Sequence, residues 1–256
     1  MPRVEKLDPL IADQLQAALP RAIIGRKVIV LEQTSSTNDA ITRVASTDGL
    51  PSIPDGLVVF AEHQTDGRGQ RGNRWESAAR KGLWLSILLR PEIQLSDSGR
   101  LTMWAIEAIS DVIRTTFGLE PAIKLPNDIQ VLGRKVSGVL VEMRAQDQAP
   151  HQAVVGIGIN VNQCRDDFSP DLQGRAISLA MALGRQVDRQ NFAVALLRNL
   201  DVTYRQEFLD REPVAEGGDL GSKIAHNRLP RSTPAATTSP APTTTRDMHA
   251  VKSRTA

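Results

Sequence analysis

The 256-residue chain is short of several things, and each shortage closes off a class of protein. It has one cysteine, Cys164, so an internal disulfide and a thiolate-held metal cluster are both excluded, which fits a reducing compartment. No apolar run is long enough to span a bilayer, and the opening Met1-Pro2-Arg3-Val4-Glu5-Lys6 has no signal-peptide core. The expectation is a cytoplasmic protein that does not enter a membrane. Neither charge dominates: 31 basic residues face 29 acidic ones, for a net charge of +2. Wholesale nucleic-acid binding is therefore not expected, although basic residues can still cluster locally. Aromatic residues make up only 4%, and most fall in core patterns, which leaves few platforms for stacking bases. No repeat of solenoid length is visible. What remains, 41% hydrophobic residues, is enough for one main core.

The feature that stands out is Gly67-Arg68-Gly69-Gln70-Arg71-Gly72-Asn73-Arg74-Trp75, introduced by Glu62-His63-Gln64-Thr65-Asp66. Glycine loses most backbone entropy on ordering and buries no side chain, so this spacing predicts a mobile loop without regular structure. Its arginines match phosphate or carboxylate bidentately, which makes an anion the expected partner.

Around this loop the chain reads as alternating elements. Leu10, Ile11, Leu15 and Leu19 predict an amphipathic helix from Asp8 to Leu19. A strand is expected over Lys27 to Glu32. Thr34-Ser35-Ser36-Thr37-Asn38-Asp39 then caps a helix whose free N–H groups favour an anion. Leu57 to Ala61 and Leu83 to Leu89 read as buried strands on either side of the loop. Leu101 to Ile113 carry the apolar face of a long helix closed by Gly118. A turn at Lys124-Leu125-Pro126-Asn127-Asp128, a hairpin at Gly133-Arg134-Lys135 and strands over Val136 to Glu142 and Ala153 to Val161 follow. In the last of these, the glycines allow something to lie close against the backbone. Two helices, Ile177 to Leu183 and Phe192 to Phe208, close the ordered part. The segment beyond Pro213, rich in Ser, Thr, Pro and Ala, is expected to be disordered.

Four polar clusters sit at element ends: Ser35-Ser36-Thr37-Asn38, Gln64 with the Arg/Gly loop, Lys124 to Asp128 with Arg134-Lys135, and Gly158-Ile159-Asn160. In this order and spacing the chain resembles the catalytic domain of biotin protein ligases, over roughly Lys27 to Phe208. The resemblance implies an α/β (α+β) fold, class II synthetase-like, with a mixed, largely antiparallel sheet flanked by helices. It implies a helical extension over residues 1–26, a catalytic domain over 27–211 and a low-complexity tail over 212–256. It also implies an ATP- and Mg²⁺-dependent ligase that makes biotinyl-adenylate and passes biotin to a lysine of a biotin carboxyl carrier protein. A homodimer is left open.

The resemblance also assigns residues. Lys135 would be the catalytic lysine between the biotin carboxylate and the α-phosphate, aided by Arg68 and Asp128. Ser36, Thr37, Asn38 and Gln64 would meet the polar ends of biotin, with Gly67, Arg68, Gly69, Arg71 and Lys135 around it and Gly138 letting the ring pack on a strand backbone. Arg68, Arg71, Lys124, Asn127, Asp128, Lys135 and Asn160 would hold the adenylate, and Trp75 would cover it. No protein-held metal site is expected. Each residue also has a plain structural reading: helix capping for Ser36 and Thr37, a solvated loop for the arginines, an ordinary turn for Asn127 and Asp128, a bulge for Gly138, and a core anchor for Trp75.

The sequence departs from the family in three places. Gln70 and Asn73 stand where many members carry arginine, and Leu125 replaces the usual tryptophan of the Lys-Trp-Pro-Asn-Asp motif. Weaker retention of the adenylate is expected. No helix-turn-helix domain fits before Lys27, so sequence-specific DNA binding is not expected. Nothing after Phe208 alternates like the strands of the small barrel that often follows. Three other readings compete with this one. A lipoate or octanoate ligase of the same fold needs a longer apolar slot, an RNA-binding module lacks stacking aromatics, and a catalytically weak biotin-binding protein stays open.

Overall fold

The computed structural model describes residues 8–47, 53–146 and 150–210. All belong to one unit, Met1–Val214; the tail expected to be disordered, residues 212–256, lies outside the described residues. Among the described residues there are nine strands: β1 Val28–Leu31, β2 Leu57–Ala61, β3 Gly67–Arg68, β4 Arg74–Trp75, β5 Gly82–Leu89, β6 Ala122–Lys124, β7 Asp128–Val131, β8 Arg134–Arg144 and β9 Gln152–Asn160. Five α-helices accompany them: α1 Ala12–Ala17, α2 Thr37–Thr47, α3 Ser98–Phe117, α4 Leu179–Leu183 and α5 Arg189–Tyr204.

Seven strands form one sheet in the order β1-β2-β5-β9-β8-β7-β6, and β3 pairs with β4 in a separate ribbon. Of the neighbouring pairs only β1 and β2 run parallel; helix α2 joins them and lets the chain return to the same end of the sheet. The other neighbours are antiparallel. The sheet is thus mixed and largely antiparallel, as the sequence implied.

Every residue of β2 and β5 is buried, as expected of central strands covered on both faces. Val58, Phe60, Leu83, Leu85, Ile87, Val155 and Ile157 point to the main core, where α3 and α5 lie. The alternate residues Leu57, Val59, Leu88 and Val154 pack on α2 through Ala40, Ile41 and Ala45. Helix α3 ends at Gly118, whose φ of 65° is the left-handed stop expected there. The indole of Trp104 and the phenol of Tyr204 pack at 5.5 Å. Burial, and then the charge of Asp55, pushes that phenol well above its ordinary pKa.

The N-terminal helix is shorter than its periodicity predicts. Residues Asp8 to Ile11 are not helical because tertiary partners take their backbone groups: the Leu10 amide donates to Glu62 and the Ile11 amide to Gln190. Leu10, Leu15, Leu19 and Ile24 belong to the main core, so the described part of the extension is packed into the domain. Beneath it lies Arg189, fully buried, with Nη1 2.7 Å from Glu62 Oε2 and 3.1 Å from the Gly82 carbonyl. Its Nη2 donates to the carbonyl of Asp8.

Removing one partner of a buried pair strands the other charge, at a cost of about 3–5 kcal/mol. Arg189→Met is expected to lower the unfolding free energy by that amount in urea titration. A loss below about 1 kcal/mol would show that the Glu62 pair does not hold the N-terminal segment in place.

Candidate active site

The face of the sheet that α2 packs on is bare at its other end. On this face β5 presents Trp84, Ser86 and Leu88, β9 presents Val154, Gly156 and Gly158, and β8 presents Gly138, Leu140 and Glu142. Register aligns Trp84, Gly158 and Gly138 in one row and Ser86, Gly156 and Leu140 in the next. The glycines leave room directly over the backbone where side chains would otherwise stand. A Cβ on Gly158 would lie 2.5 Å from Trp75 Cε2, one on Gly138 3.0 Å from Trp75 Cζ3, and one on Gly156 2.3 Å from Asn38 Oδ1. The indole of Trp75 and the amide of Asn38 therefore rest directly on the strands.

An open pocket of about 690 Å³, part of it open to solvent, extends over this floor. One end is neutral and polar. Gln64 Oε1 accepts from the Thr37 amide at 2.8 Å and the Thr37 hydroxyl at 3.1 Å, and Gln64 Nε2 donates to Ser77 Oγ at 3.1 Å. The buried Ser86 hydroxyl donates to Thr37 Oγ1 at 2.7 Å and Asn38 Oδ1 at 2.5 Å, its single proton shared between the two acceptors. Asn38 Nδ2 donates to Glu142 Oε2 at 2.6 Å.

The other end is charged. Lys135 Nζ lies 2.7 Å from Asp128 Oδ1 and 5.1 Å from the centre of the Trp75 ring. The lysine backbone is fixed on both sides, its amide donating to the Arg175 carbonyl and its carbonyl accepting from Ile177. It enters β8 from a turn at Leu132 and Gly133, whose φ values are 51° and 71°. Arg68 Nη2 is 2.8 Å from both Asp39 Oδ1 and Glu142 Oε2. Arg74 Nη2 is 3.0 Å from Asp66 Oδ1. Each lysine or arginine that lines the pocket is thus already paired with a carboxylate. At this exposure such pairs are worth at most about 1 kcal/mol each, so an incoming anion can replace them.

The Arg/Gly stretch is not the unstructured loop its glycines predict. It forms the two-stranded ribbon β3–β4, with Gly67 opposite Trp75 and Arg68 opposite Arg74. A left-handed turn at Arg71 and Gly72, φ 58° and 76°, closes it. Trp75 on the floor and Arg68 between two carboxylates anchor it, and these long-range contacts are invisible to local propensity. Gly67 permits the close pairing, since a Cβ there would meet the Trp75 carbonyl at 2.5 Å.

Of the residues singled out from the sequence, Ser36, Thr37, Asn38, Gln64, Arg68, Gly69, Trp75, Asn127, Asp128, Lys135 and Gly138 line the pocket. Gly67, Arg71, Lys124 and Asn160 do not. Arg71 is exposed at the ribbon turn and Lys124 is exposed on the edge strand β6. Asn160 is buried, with Nδ2 3.5 Å from the Lys135 carbonyl and Oδ1 accepting from Gln163. Trp75 lies on the glycine floor itself, and its Nε1 is buried without a partner. Sequence reasoning passed over Ser86 and Glu142, and read Gly156 only as one of the strand glycines that allow a close approach. The signal was the two-residue period of β8, which puts Glu142 on the same face as Gly138.

The family model for the biotin/lipoate A/B protein ligases matches residues 30–160, just over half of the chain. The chain belongs to this family. It is 34% identical over 202 residues to the bifunctional ligase/repressor BirA of Bacillus subtilis, covering 79% of this chain and 61% of that protein. It is 35% identical over 181 residues to the biotin--[acetyl-CoA-carboxylase] ligase of Mycobacterium tuberculosis, covering 69% and 63%. The chain therefore spans a little under two thirds of the length of these relatives. Among solved structures, the Aquifex aeolicus biotin protein ligase in complex with biotin and ATP superposes with a TM-score of 0.58 at 27% identity, over 71% of this chain and 72% of that one. The seven-stranded mixed sheet flanked by helices is the fold of this family's catalytic domain.

Gly158→Ala is expected to expel Trp75 from the floor while the sheet persists. Near-ultraviolet circular dichroism would lose the signal of the Trp75–Trp84 edge contact, whose centroids are 6.0 Å apart, with far-ultraviolet spectra unchanged. An unchanged near-ultraviolet spectrum would mean that the indole does not depend on the missing Cβ.

Proposed function

We propose that this chain activates biotin with ATP as biotinyl-adenylate and transfers biotin to a lysine of a carboxyl carrier domain; that relatives are named as biotin ligases supports the reading. The observation that carries the reading is the division of the pocket. Neutral donors and acceptors on Thr37, Asn38 and Gln64 gather at one end, a glycine floor lies between, and Arg68 and Lys135 stand at the other. A ligand with a polar uncharged head, a flat apolar body and a carboxylate tail fits this order. Ser36, Thr37, Asn38 and Gln64 would take the head, Gly138 and Gly158 the ring, and Lys135 the carboxylate.

In the first half-reaction a carboxylate oxygen attacks the α-phosphorus and the bond to pyrophosphate breaks. Two anions must approach each other, so positioning and fixed positive charge matter more than proton transfer. Lys135 stands where both can be reached, and its pairing with Asp128 keeps the ammonium aimed across the floor. Arg68, and Arg71 if the ribbon turn folds inward, would neutralise phosphate charge. Lys124, Asn127 and Asn160 would complete the nucleotide side from the turn and strand ends. In the second half-reaction the carrier amine attacks the acyl carbon and AMP leaves. Trp75 must move off the floor for the ring to lie there, and its unpartnered Nε1 gives it a donor to offer the ligand. Magnesium would arrive on the phosphates, where it screens their charge. Asp128 would offer a carboxylate oxygen to that ion. With Gln70 and Asn73 in the ribbon where many relatives have arginine, the adenylate would be held less firmly.

The test is incubation of purified protein with ATP, Mg²⁺, biotin and a carrier domain, followed by mass spectrometry of the carrier. A biotin adduct on one lysine is expected; lipoate accepted with biotin refused would sink the reading. Lys135→Ala should cut adenylate formation, followed as pyrophosphate release, at least a hundredfold, the scale on which single charge-stabilising donors act. Undiminished release would remove the lysine from the chemistry.

A further inference from the structure

Glu142 has no part in the scheme above, yet it bridges the two ends of the pocket. A single oxygen, Oε2, accepts from Asn38 Nδ2 at 2.6 Å and from Arg68 Nη2 at 2.8 Å. Asn38 is buried and belongs to the neutral end, tied onward through Ser86 to Thr37 and Gln64. Arg68 belongs to the ribbon at the charged end. The carboxylate of Glu142 occupies the position on Arg68 that a phosphate or carboxylate ligand would need, because guanidinium meets all of these anions through the same N–H groups. Asp39 is the second partner of Arg68, but it sits in the first turn of α2, where the helix N-terminus already favours a negative charge. Glu142 stands on a strand and has no such support, so its charge is balanced chiefly by Arg68.

We propose that Glu142 is a positioning residue that sets how strongly the pocket takes an anionic ligand, by competing with that anion for Arg68. The proposal rests on the reading of the pocket as a biotin site. When the ligand is bound, Arg68 turns from Glu142 to the ligand, while Glu142 keeps Asn38 and with it the neutral end. The two ends are therefore filled in concert: the carboxylate that orders the head-group side is the one released from the tail side.

Glu142→Gln tests this, since the amide oxygen can still accept from Asn38 while the charge on Arg68 is lost. Isothermal titration calorimetry with biotin and with its uncharged amide, biotinamide, compares the variant with the wild type. Biotin is expected to bind about two- to fivefold more tightly to the variant, the range expected for one half-exposed ion pair, with biotinamide unchanged. An unaltered or weaker biotin affinity, or an equal change for both ligands, would overturn the proposal, the latter because a merely structural role affects both alike. A second measurement needs no ligand. With one of two carboxylates gone, Arg68 holds the ribbon less firmly, so amide hydrogen exchange over Gly67 to Trp75 should quicken about two- to fivefold; unchanged exchange counts against the proposal. If wild-type protein binds neither ligand, the biotin reading fails, and the exchange rates still decide whether Glu142 holds Arg68.

Discussion

The site depends on the distance at which a flat group can approach the sheet. Along the row formed by Trp84, Gly158 and Gly138, two of three positions carry no Cβ, and a methyl group on Gly158 would already stand 2.5 Å from the indole of Trp75. The next row repeats the device, with Gly156 making room for Asn38. Aliphatic residues at these positions would make the face an ordinary half of a core, as Leu88 and Val154 do under α2. The same two strands thus supply a packed core at one end and a bare ledge at the other.

The electrostatics follow from that ledge. The pocket carries cations near a low-dielectric surface, and unpaired cations there are costly. The chain meets this by pairing Lys135 with Asp128, Arg68 with Asp39 and Glu142, and Arg74 with Asp66. These contacts are partly solvated, so each is weak enough to be exchanged for a ligand. The buried pair of Arg189 and Glu62 on the opposite side of the strands is of another kind. It is sealed from solvent and fastens the N-terminal segment to the start of the same stretch that, two residues later, supplies Gln64.

Much of this was legible from residue order. The apolar runs of β2 and β5, the amphipathic α3 with its Gly118 stop, and the turn before Lys135 all rest on local rules of period and turn chemistry, and the structure follows them. Thr37, Asn38 and Gln64, from two separate polar clusters, meet in one hydrogen-bonded group with Ser86. What local rules missed has a common cause. The Arg/Gly stretch reads as mobile because its own residues do not favour order, yet it is tied down by Arg68 and Trp75 reaching partners that are distant in sequence. Helix α1 is cut short for the same reason, its preceding residues bonding to Glu62 and Gln190 instead of to one another.

The sequence by itself determined the kinds of side chain available, their order, the family to which that order belongs, and most of the strands and helices that carry them, since those elements depend on neighbours a few residues apart. Only the tertiary structure decided that Trp75 lies on the floor and not above it, that Asn160 faces the Lys135 backbone, that Arg71 and Lys124 lie outside the pocket lining, and that Glu142 joins its two ends. Those outcomes depend on strand register and on which backbone lacks a Cβ across from which side chain, and register is settled only when the sheet closes.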